Sequence, residues 1–324
     1  MRGDELRKAR FGVIGVGFWG RNHARAISEL KNAVLVAVCD RDSARAKIVG
    51  EEFGVDWFTD DQELLRRNDV DAVTICTPTT THDEVALKAI DAEKHVMVEK
   101  PIADTVEEAK GILKAAETRG VHVMTGFIER FNPGIQRMKA LIEDGSLGEI
   151  VLAFARRVGR WPERVGDVGV VKDAAIHDID IMRFMFNSEP TSVYARVGRL
   201  VHRFEDYAQI ILGFKDNQTA FVEANWLTPR KIRELTVTGS DAMATVDYIT
   251  QKILIEDADK QVSPTYSWKE PLGLELEHFA ECVIRDMNPQ VTGLDGLRAL
   301  EIAEAALKSA RIGESVRLKQ STYI

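Results

Sequence analysis

Long apolar runs and a basic excess are both absent from these 324 residues. No run approaches the ~20 residues that a helix needs to span a bilayer. Acidic residues outnumber basic ones 51 to 43, for a formal charge of -8, so the clustered positive footprint of a nucleic-acid binder is missing. Cysteine is scarce. Cys39, Cys76 and Cys282 have neither metal-type spacing nor the density of a disulfide framework, and two of them end apolar runs as small hydrophobes. The basic start, residues 2–10, passes straight into an apolar strand rather than a signal-peptide core. Repeats and low-complexity linkers are lacking too. What remains is an ordinary soluble composition, 45% hydrophobic and 29% charged, with chain enough for roughly two domains. The expectation is a protein of a reducing cytoplasm, with no metal and no nucleic-acid or membrane partner.

One stretch carries the strongest signal: Phe11-Gly12-Val13-Ile14-Gly15-Val16-Gly17-Phe18-Trp19-Gly20. It reads as a buried strand, a Gly-x-Gly-x-x-Gly turn and the start of a helix. Gly15 turns the chain tightly, Gly17 lets a pyrophosphate approach the backbone, and Gly20 lets the helix lie close on the strand. The free N–H groups of the helix start favour an anion there. A second apolar run, residues 34–39, ends in Asp40, at the spacing where an acid accepts hydrogen bonds from ribose hydroxyls. Such a carboxylate repels a 2′-phosphate, which favours NAD over NADP, although the neighbouring Arg41 would tolerate one.

The rest of the first half alternates strands and helices. Helices are expected over 42–53, 60–68, 83–92 and 105–119, and strands over 71–76, 95–98 and 121–127. This is a doubly wound parallel sheet. Two strand ends face the edge where such sheets bind ligands. Thr77-Pro78 follows one, leading through Thr79, Thr80 and Thr81 to His82; Glu99-Lys100-Pro101 follows the other. Helix capping accounts for the threonines as well as ligand contact does.

The second half changes pattern. A helix is expected from Asn132-Pro133 to 144, a strand over 149–158 and an apolar helix over 173–187. Strands follow over 192–197, 207–214, 219–226 and 233–238, with a hairpin turn at Lys215-Asp216-Asn217, and helices close the chain over 272–286 and 294–312. Consecutive strands with short turns imply an antiparallel sheet. The fold class is therefore an α/β N-terminal Rossmann domain over 9–128, joined to an α+β C-terminal domain over 129–324 with a mainly antiparallel open sheet. The closing helices are free to pack back on the first domain.

Five motifs, in this order and spacing, resemble the glucose–fructose oxidoreductase, inositol dehydrogenase and rhizopine-catabolism (Gfo/Idh/MocA) family. They are the Gly15–Gly20 loop, Thr77-Pro78 with His82, Glu99-Lys100-Pro101, Arg130-Phe131-Asn132-Pro133, and Asp173-Ala174-Ala175-Ile176-His177-Asp178-Ile179-Asp180. The resemblance runs from about residue 11 to residue 312. It implies an NAD(P)-dependent sugar or cyclitol oxidoreductase, a homo-oligomer (dimer or tetramer) formed through the open sheet, and an active site lined by Lys100, Asp173 and His177. The cofactor residues that match are Gly15, Gly17, Phe18, Trp19, Gly20, Asp40, Arg41, Thr77, Pro78, His82, Glu99 and Lys100.

Asp173, His177 and Asp180 fall on one helical stripe. Read alone, that stripe is as well explained by one satisfied histidine on a half-buried face, and a metal pair at this spacing lacks further ligands. Alcohol oxidation needs a base near neutrality. His177 suits that role, with Asp173 bonding substrate or orienting the ring, and Lys100 stabilising negative charge on the reacting oxygen. The roles of His177 and Lys100 are exchangeable, since a desolvated lysine also acts as a base. Asp180 is assigned to structure.

The run before Asp173 departs from the family's usual glycine pair and brings Lys172 beside it. Just upstream, Arg156-Arg157-Val158-Gly159-Arg160-Trp161-Pro162-Glu163-Arg164 leaves a strand. A solvated loop or oligomer contact explains such a cluster; so does an anion-binding loop, with Arg157, Arg160, Trp161 and Lys172 as substrate contacts. Alternation lets at most one of Arg156 and Arg157 face the pocket. That loop and the run from Lys172 to Asp180 together resemble the branch that oxidises nucleotide sugars such as UDP-N-acetylglucosamine. A free polyol such as myo-inositol is the alternative substrate, and a non-catalytic NAD-sensing regulator is the alternative of another class.

Overall fold

The computed structural model describes residues 7–161 and 166–319. Arg164, with Pro162 and Glu163, lies outside the described residues. The chain divides into two compact units, one of Met1–Ile128 with Glu270–Leu297 and one of Glu129–Lys269 with Arg298–Ile324.

The first unit begins with β1 (Ala9–Ile14), α1 (Phe18–Glu29), β2 (Ala33–Cys39), α2 (Ser43–Phe53), β3 (Asp56–Phe58) and α3 (Asp61–Leu65). It continues with β4 (Ala72–Ile75), α4 (His82–Asp91), β5 (His95–Glu99), α5 (Val106–Arg119) and β6 (Val123–Gly126). The six strands form one sheet in the order β3-β2-β1-β4-β5-β6, parallel throughout. Helices on both faces explain why strands such as β4 are apolar or buried at every position. The chain reverses its direction of winding between β1 and β4, the topological switch point at which such sheets bind ligands.

Helix ends follow local chemistry. The Asp42 side chain accepts from the N–H groups of Ala44 and Arg45 and starts α2. Thr105 and Glu108 form a reciprocal capping box on α5, which ends at Gly120 in the left-handed region. The threonine cluster does not cap α4. Thr79–Thr81 makes a short 3-10 turn without a side-chain cap, and the Thr81 hydroxyl donates to the Pro78 carbonyl at 2.8 Å. The returning segment adds the helix Pro271–Arg285, whose Phe279 ring packs on Phe11 of β1 at 5.9 Å.

The second unit holds α6 (Pro133–Glu143), β7 (Ile150–Arg160), a π-type turn at Val171–Ala175 and α7 (Ile176–Phe186). Then come β8 (Ser192–Gly198), β9 (Tyr207–Gly213), β10 (Thr219–Asn225), β11 (Leu227–Gly239), β12 (Met243–Asp247), β13 (Ile253–Glu256), β14 (Gln261–Val262) and β15 (Val316–Arg317). These form a nine-stranded sheet in the order β14-β13-β12-β11-β7-β10-β9-β8-β15. The β7–β10 pair is parallel and the others antiparallel. Strand β11 begins six residues before the expected 233, and β12 to β15 were not anticipated. These last strands have two to five residues each, too few for a period of two to stand out.

Alternation along β7 sorts its two faces. Ala153, Ala155 and Arg157 are buried, while Phe154 is 39% exposed and Arg156 pairs with Glu223 at 3.0 Å.

Candidate active site

In the first unit the glycine turn is built as its sequence requires. Gly15 has φ +85, and a Cβ there would lie 2.7 Å from the Thr77 nitrogen. A Cβ on Gly20 would lie 1.8 Å from the Gly15 carbonyl oxygen, so only glycine lets α1 start this close to β1. Gly17 differs: a Cβ there would meet nothing within 4 Å. It is the N-cap of α1 and gives no side-chain cap, so the open space lies over uncapped N–H groups. Nearby, the Thr77 hydroxyl is buried with no hydrogen-bond partner among the described residues. An open glycine cradle and an orphaned hydroxyl at the switch point fit a dinucleotide.

Asp40 directly follows β2 and is buried. Its carboxylate accepts from the N–H of Val16 and of Asp42, each at 2.9 Å. The cation upon it is Arg45, at 3.1 Å, which also reaches Asp42 at 3.3 Å. The expected neighbour Arg41 instead reaches toward Glu84, at 3.8 Å. Arg45 thus lies between two aspartates, and Arg41 lies out toward Glu84; a carboxylate at this position suits NAD.

Glu99 and His82 turn inward. The ring of His23, fully buried on α1, sets Nε2 3.0 Å from Glu99 Oε1, while Glu99 Oε2 accepts from the Lys100 N–H at 3.2 Å. Burial would raise the Glu99 carboxyl, but the His23 hydrogen bond and the charges of His23, Lys100 and His82 outweigh it, and its pKa falls below the ordinary value. His82, 1% exposed, sets Nδ1 2.8 Å from the Pro101 carbonyl and Nε2 2.9 Å from that of Thr77. The sequence suggested cofactor contacts for both. The structure makes Glu99 the support of Lys100, and His82 the brace between the two loops that follow β4 and β5. His23 was missed; its signal was its place one turn beyond Gly20. Phe18 is 65% exposed at the start of α1, edge-on to Trp19 at 5.6 Å, and Pro78 is exposed. Lys100 and Pro101 share a cis peptide bond.

In the second unit Asp173 and His177 stand on the π-type turn and α7, not on the single regular helix expected over 173–187. The wider turn changes their relative direction from that of an i, i+4 pair. Glu205 pins its start: its main-chain oxygen accepts from Val170 at 2.9 Å and its carboxylate from Val171 at 3.3 Å. Burial raises the Glu205 carboxyl. A Cβ on Gly169 would overlap that carboxylate at 2.1 Å. Asp173 is buried and His177 half-buried.

Two of the expected substrate contacts have partners within the second unit. Lys172 pairs with Glu304 at 3.7 Å. Arg157 is 5% exposed; it bonds Asp178 through Nε (2.7 Å) and Nη2 (3.1 Å), and Glu129 through Nη1 (3.0 Å). Tyr248 donates to the same aspartate at 2.9 Å. Asn132 donates to Glu129 at 3.1 Å, and Arg233 lies 3.6 Å from it. Burial, then the charge of Arg157, lowers the Arg233 pKa. Deeper along α7, Asp180 takes a two-pronged bond from Arg130 at 2.7 and 2.6 Å. Arg160 stays exposed and donates to the Pro229 carbonyl at 3.2 Å, and Trp161 is 42% exposed.

A parallel six-stranded sheet with an uncapped glycine turn and an acid after β2, in a chain with a second, sheet-bearing unit, defines a dinucleotide-binding protein of two units. The family model described as "Oxidoreductase family, NAD-binding Rossmann fold" matches residues 9–127, and the GFO/IDH/MocA C-terminal domain matches residues 135–245. The chain belongs to the Gfo/Idh/MocA family. It is 32% identical to a scyllo-inositol 2-dehydrogenase (NAD(+)) of Bacillus subtilis over 96% of each chain. It is 30% identical to an inositol 2-dehydrogenase of Rhizobium meliloti, over 93% of this chain and 96% of that one. Among solved structures, a UDP-N-acetylglucosamine 3-dehydrogenase from Acidithiobacillus ferrooxidans superposes with a TM-score of 0.86 at 28% identity, covering 94% of this chain and 98% of that one. The family match makes this chain an NAD-binding oxidoreductase, and the relatives named are sugar and cyclitol dehydrogenases. Among the described residues no helix is long and apolar enough to cross a membrane.

Two variants of the glycine turn separate fold from ligand. Gly20→Ala, which meets backbone, is expected to lower the melting temperature by several degrees. Gly17→Ala is expected to leave melting unchanged and to weaken NAD binding at least tenfold, read by calorimetric titration. Arg157→Met leaves Asp178 and Glu129 without their main cation and is expected to cost about 3–5 kcal/mol; urea unfolding measures it, and a loss under about 1 kcal/mol would show the network to be dispensable.

Proposed function

We propose that the protein oxidises a secondary hydroxyl of a nucleotide sugar of the UDP-N-acetylglucosamine kind to a ketone. The observation that supports an anionic substrate is a group of exposed cations on an otherwise acidic chain. Arg160 ends β7, Arg199 and Arg203 lie on the loop between β8 and β9, and Arg230 lies in the irregular part of β11 to which Arg160 is bonded. Inositol or another free polyol is the second reading, favoured by the inositol dehydrogenases to which the chain is similar.

Bound NAD supplies the hydride acceptor. Gly15, Gly17 and Gly20 would hold its pyrophosphate against the start of α1, with Phe18, Trp19 and Pro78 beside that turn. Asp40 would accept from its ribose, and the Thr77 hydroxyl, buried with no partner among the described residues, would bond the dinucleotide. His177 takes the proton of the substrate hydroxyl, as a histidine needs little tuning to act near neutrality. Asp173 bonds the substrate or orients the imidazole. Lys100, its backbone tied to Glu99, donates to the reacting oxygen and stabilises the negative charge that grows there.

We also propose that a second copy of the chain covers the outer face of the nine-stranded sheet, in a homodimer or a tetramer built from it. There Phe154, Phe221 and Ile211 are neighbours across β7, β10 and β9, each 37–39% exposed. The paired charges of Arg156 and Glu223 lie one row beyond. Apolar centre and alternating charge make a face that can complement itself across a two-fold axis.

His177→Ala is expected to keep NAD affinity while turnover falls at least a hundredfold. Normal turnover would remove His177 from the base role. Absorbance of NADH on mixing with UDP-N-acetylglucosamine, UDP-glucose, myo-inositol and glucose separates the two substrate readings, since a rise with the polyol alone would end the nucleotide-sugar one. Phe221→Lys is expected to reduce the particle mass in light scattering to that of one chain; an unchanged mass would place the contact elsewhere.

A further inference from the structure

The end of β7, the β8–β9 loop and the start of β11 enclose a cavity of about 450 Å³. Its lining is aromatic. Trp161 is half open, His202 stands 4.9 Å from it, and the buried Trp226 lies 5.1 Å from His202 at 79°. Val201, 78% exposed, and Leu227 complete the apolar rim.

The loop that shapes this cavity is built rather than loose. The Asp206 carboxylate accepts from the N–H groups of Leu200, Val201 and His202 at 2.6–3.0 Å. Burial would raise that carboxyl, but these bonds outweigh it and bring it below the ordinary value. His202 Nδ1 accepts from the Phe204 N–H at 3.2 Å, which leaves the ring proton on Nε2. Arg203 donates to the carbonyl of Gly166, and both residues line the cavity. Glu205, between Phe204 and Asp206, is the residue that pins the turn bearing Asp173. One loop therefore holds both the cavity and the start of the candidate catalytic helix.

The lining selects its occupant. A polyol needs a polar partner for each hydroxyl, and this cavity offers few. A flat ring can lie on Trp161, present a ring carbonyl to the Nε2–H of His202, and leave attached phosphates toward Arg160 and Arg203. We propose that this cavity is the nucleobase subsite for a nucleoside diphosphate sugar with an oxo-bearing base such as uracil. The proposal rests on the nucleotide-sugar reading above and goes beyond it in assigning Trp161 and His202 to the base.

Titration of the full-length protein with UDP and, separately, with inorganic pyrophosphate tests it, by calorimetry and by tryptophan fluorescence. UDP is expected to bind more tightly than pyrophosphate and to quench fluorescence. Trp161→Ala is expected to weaken UDP binding by roughly 5- to 150-fold, the loss of one base-stacking contact, with pyrophosphate and NAD affinities unchanged. Val201→Glu, at a rim position where folding is not at risk, is expected to weaken UDP in the same sense. Equal affinity for UDP and pyrophosphate, or no change of UDP affinity in both variants, overturns the subsite. If UDP-N-acetylglucosamine still yields NADH in that case, the nucleotide-sugar reading stands without it. If myo-inositol alone yields NADH and UDP does not bind, both fall.

Discussion

Two buried ion pairs hold the candidate catalytic helix of the second unit. Asp178 and Asp180 are fully buried on α7, two residues apart and so on different sides of the helix. Arg157 grips one from the centre of the sheet, and Arg130 grips the other from the turn before α6. A carboxylate out of water is costly unless it is paired and fully bonded, so each aspartate fixes where its arginine must stand. Their combined effect is orientation. The helix can neither roll nor slide without stranding a charge, and His177, beside Asp178, inherits that rigidity.

The first unit applies the same device on a smaller scale. Glu99 bonds a fully buried histidine on one oxygen and the main chain of Lys100 on the other. Asp40 ties the turn after β1 to the end of β2 through two backbone N–H bonds. Each acid named by its position in a motif therefore has an inward partner as well as a place at the edge where ligand is expected. The Arg130-Phe131-Asn132-Pro133 motif is likewise structural: Arg130 holds α7, while Asn132 caps α6 and donates to Glu129.

The arginine run at the end of β7 shows how one sequence feature divides in space. Strand alternation sends Arg157 into the interior and Arg156 to the outer face. Arg160 alone of the three stays at the open end of the strand, beside Trp161. Charge that reads as one cluster in sequence becomes a buried strut, a surface pair and a rim residue. The proposed anionic-substrate reading rests on the last of these, together with arginines from two other segments that no local pattern joins to it.

Much of the fold was set by local chemistry. Glycines at 15, 17 and 20, uninterrupted apolar strands, capping residues and Gly54 or Gly120 at helix ends fix the parallel sheet and its switch point, because each acts within a few residues of itself. The short outer strands β12 to β15 were not legible, having too few residues to show a period. The partners of the site residues were not legible either. His23 and Glu99 are 76 residues apart, Arg130 and Asp180 are 50 apart, and Arg157 and Asp178 are 21 apart. Arg45 rather than Arg41 sits on Asp40, and Lys172 turns to Glu304. Sequence by itself determined which residue types stand at the ends of strands and helices, since backbone geometry depends on near neighbours. Only the tertiary structure decided which charges meet, because burial removes water as the alternative partner and leaves each buried charge whichever counter-charge the packing brings within reach.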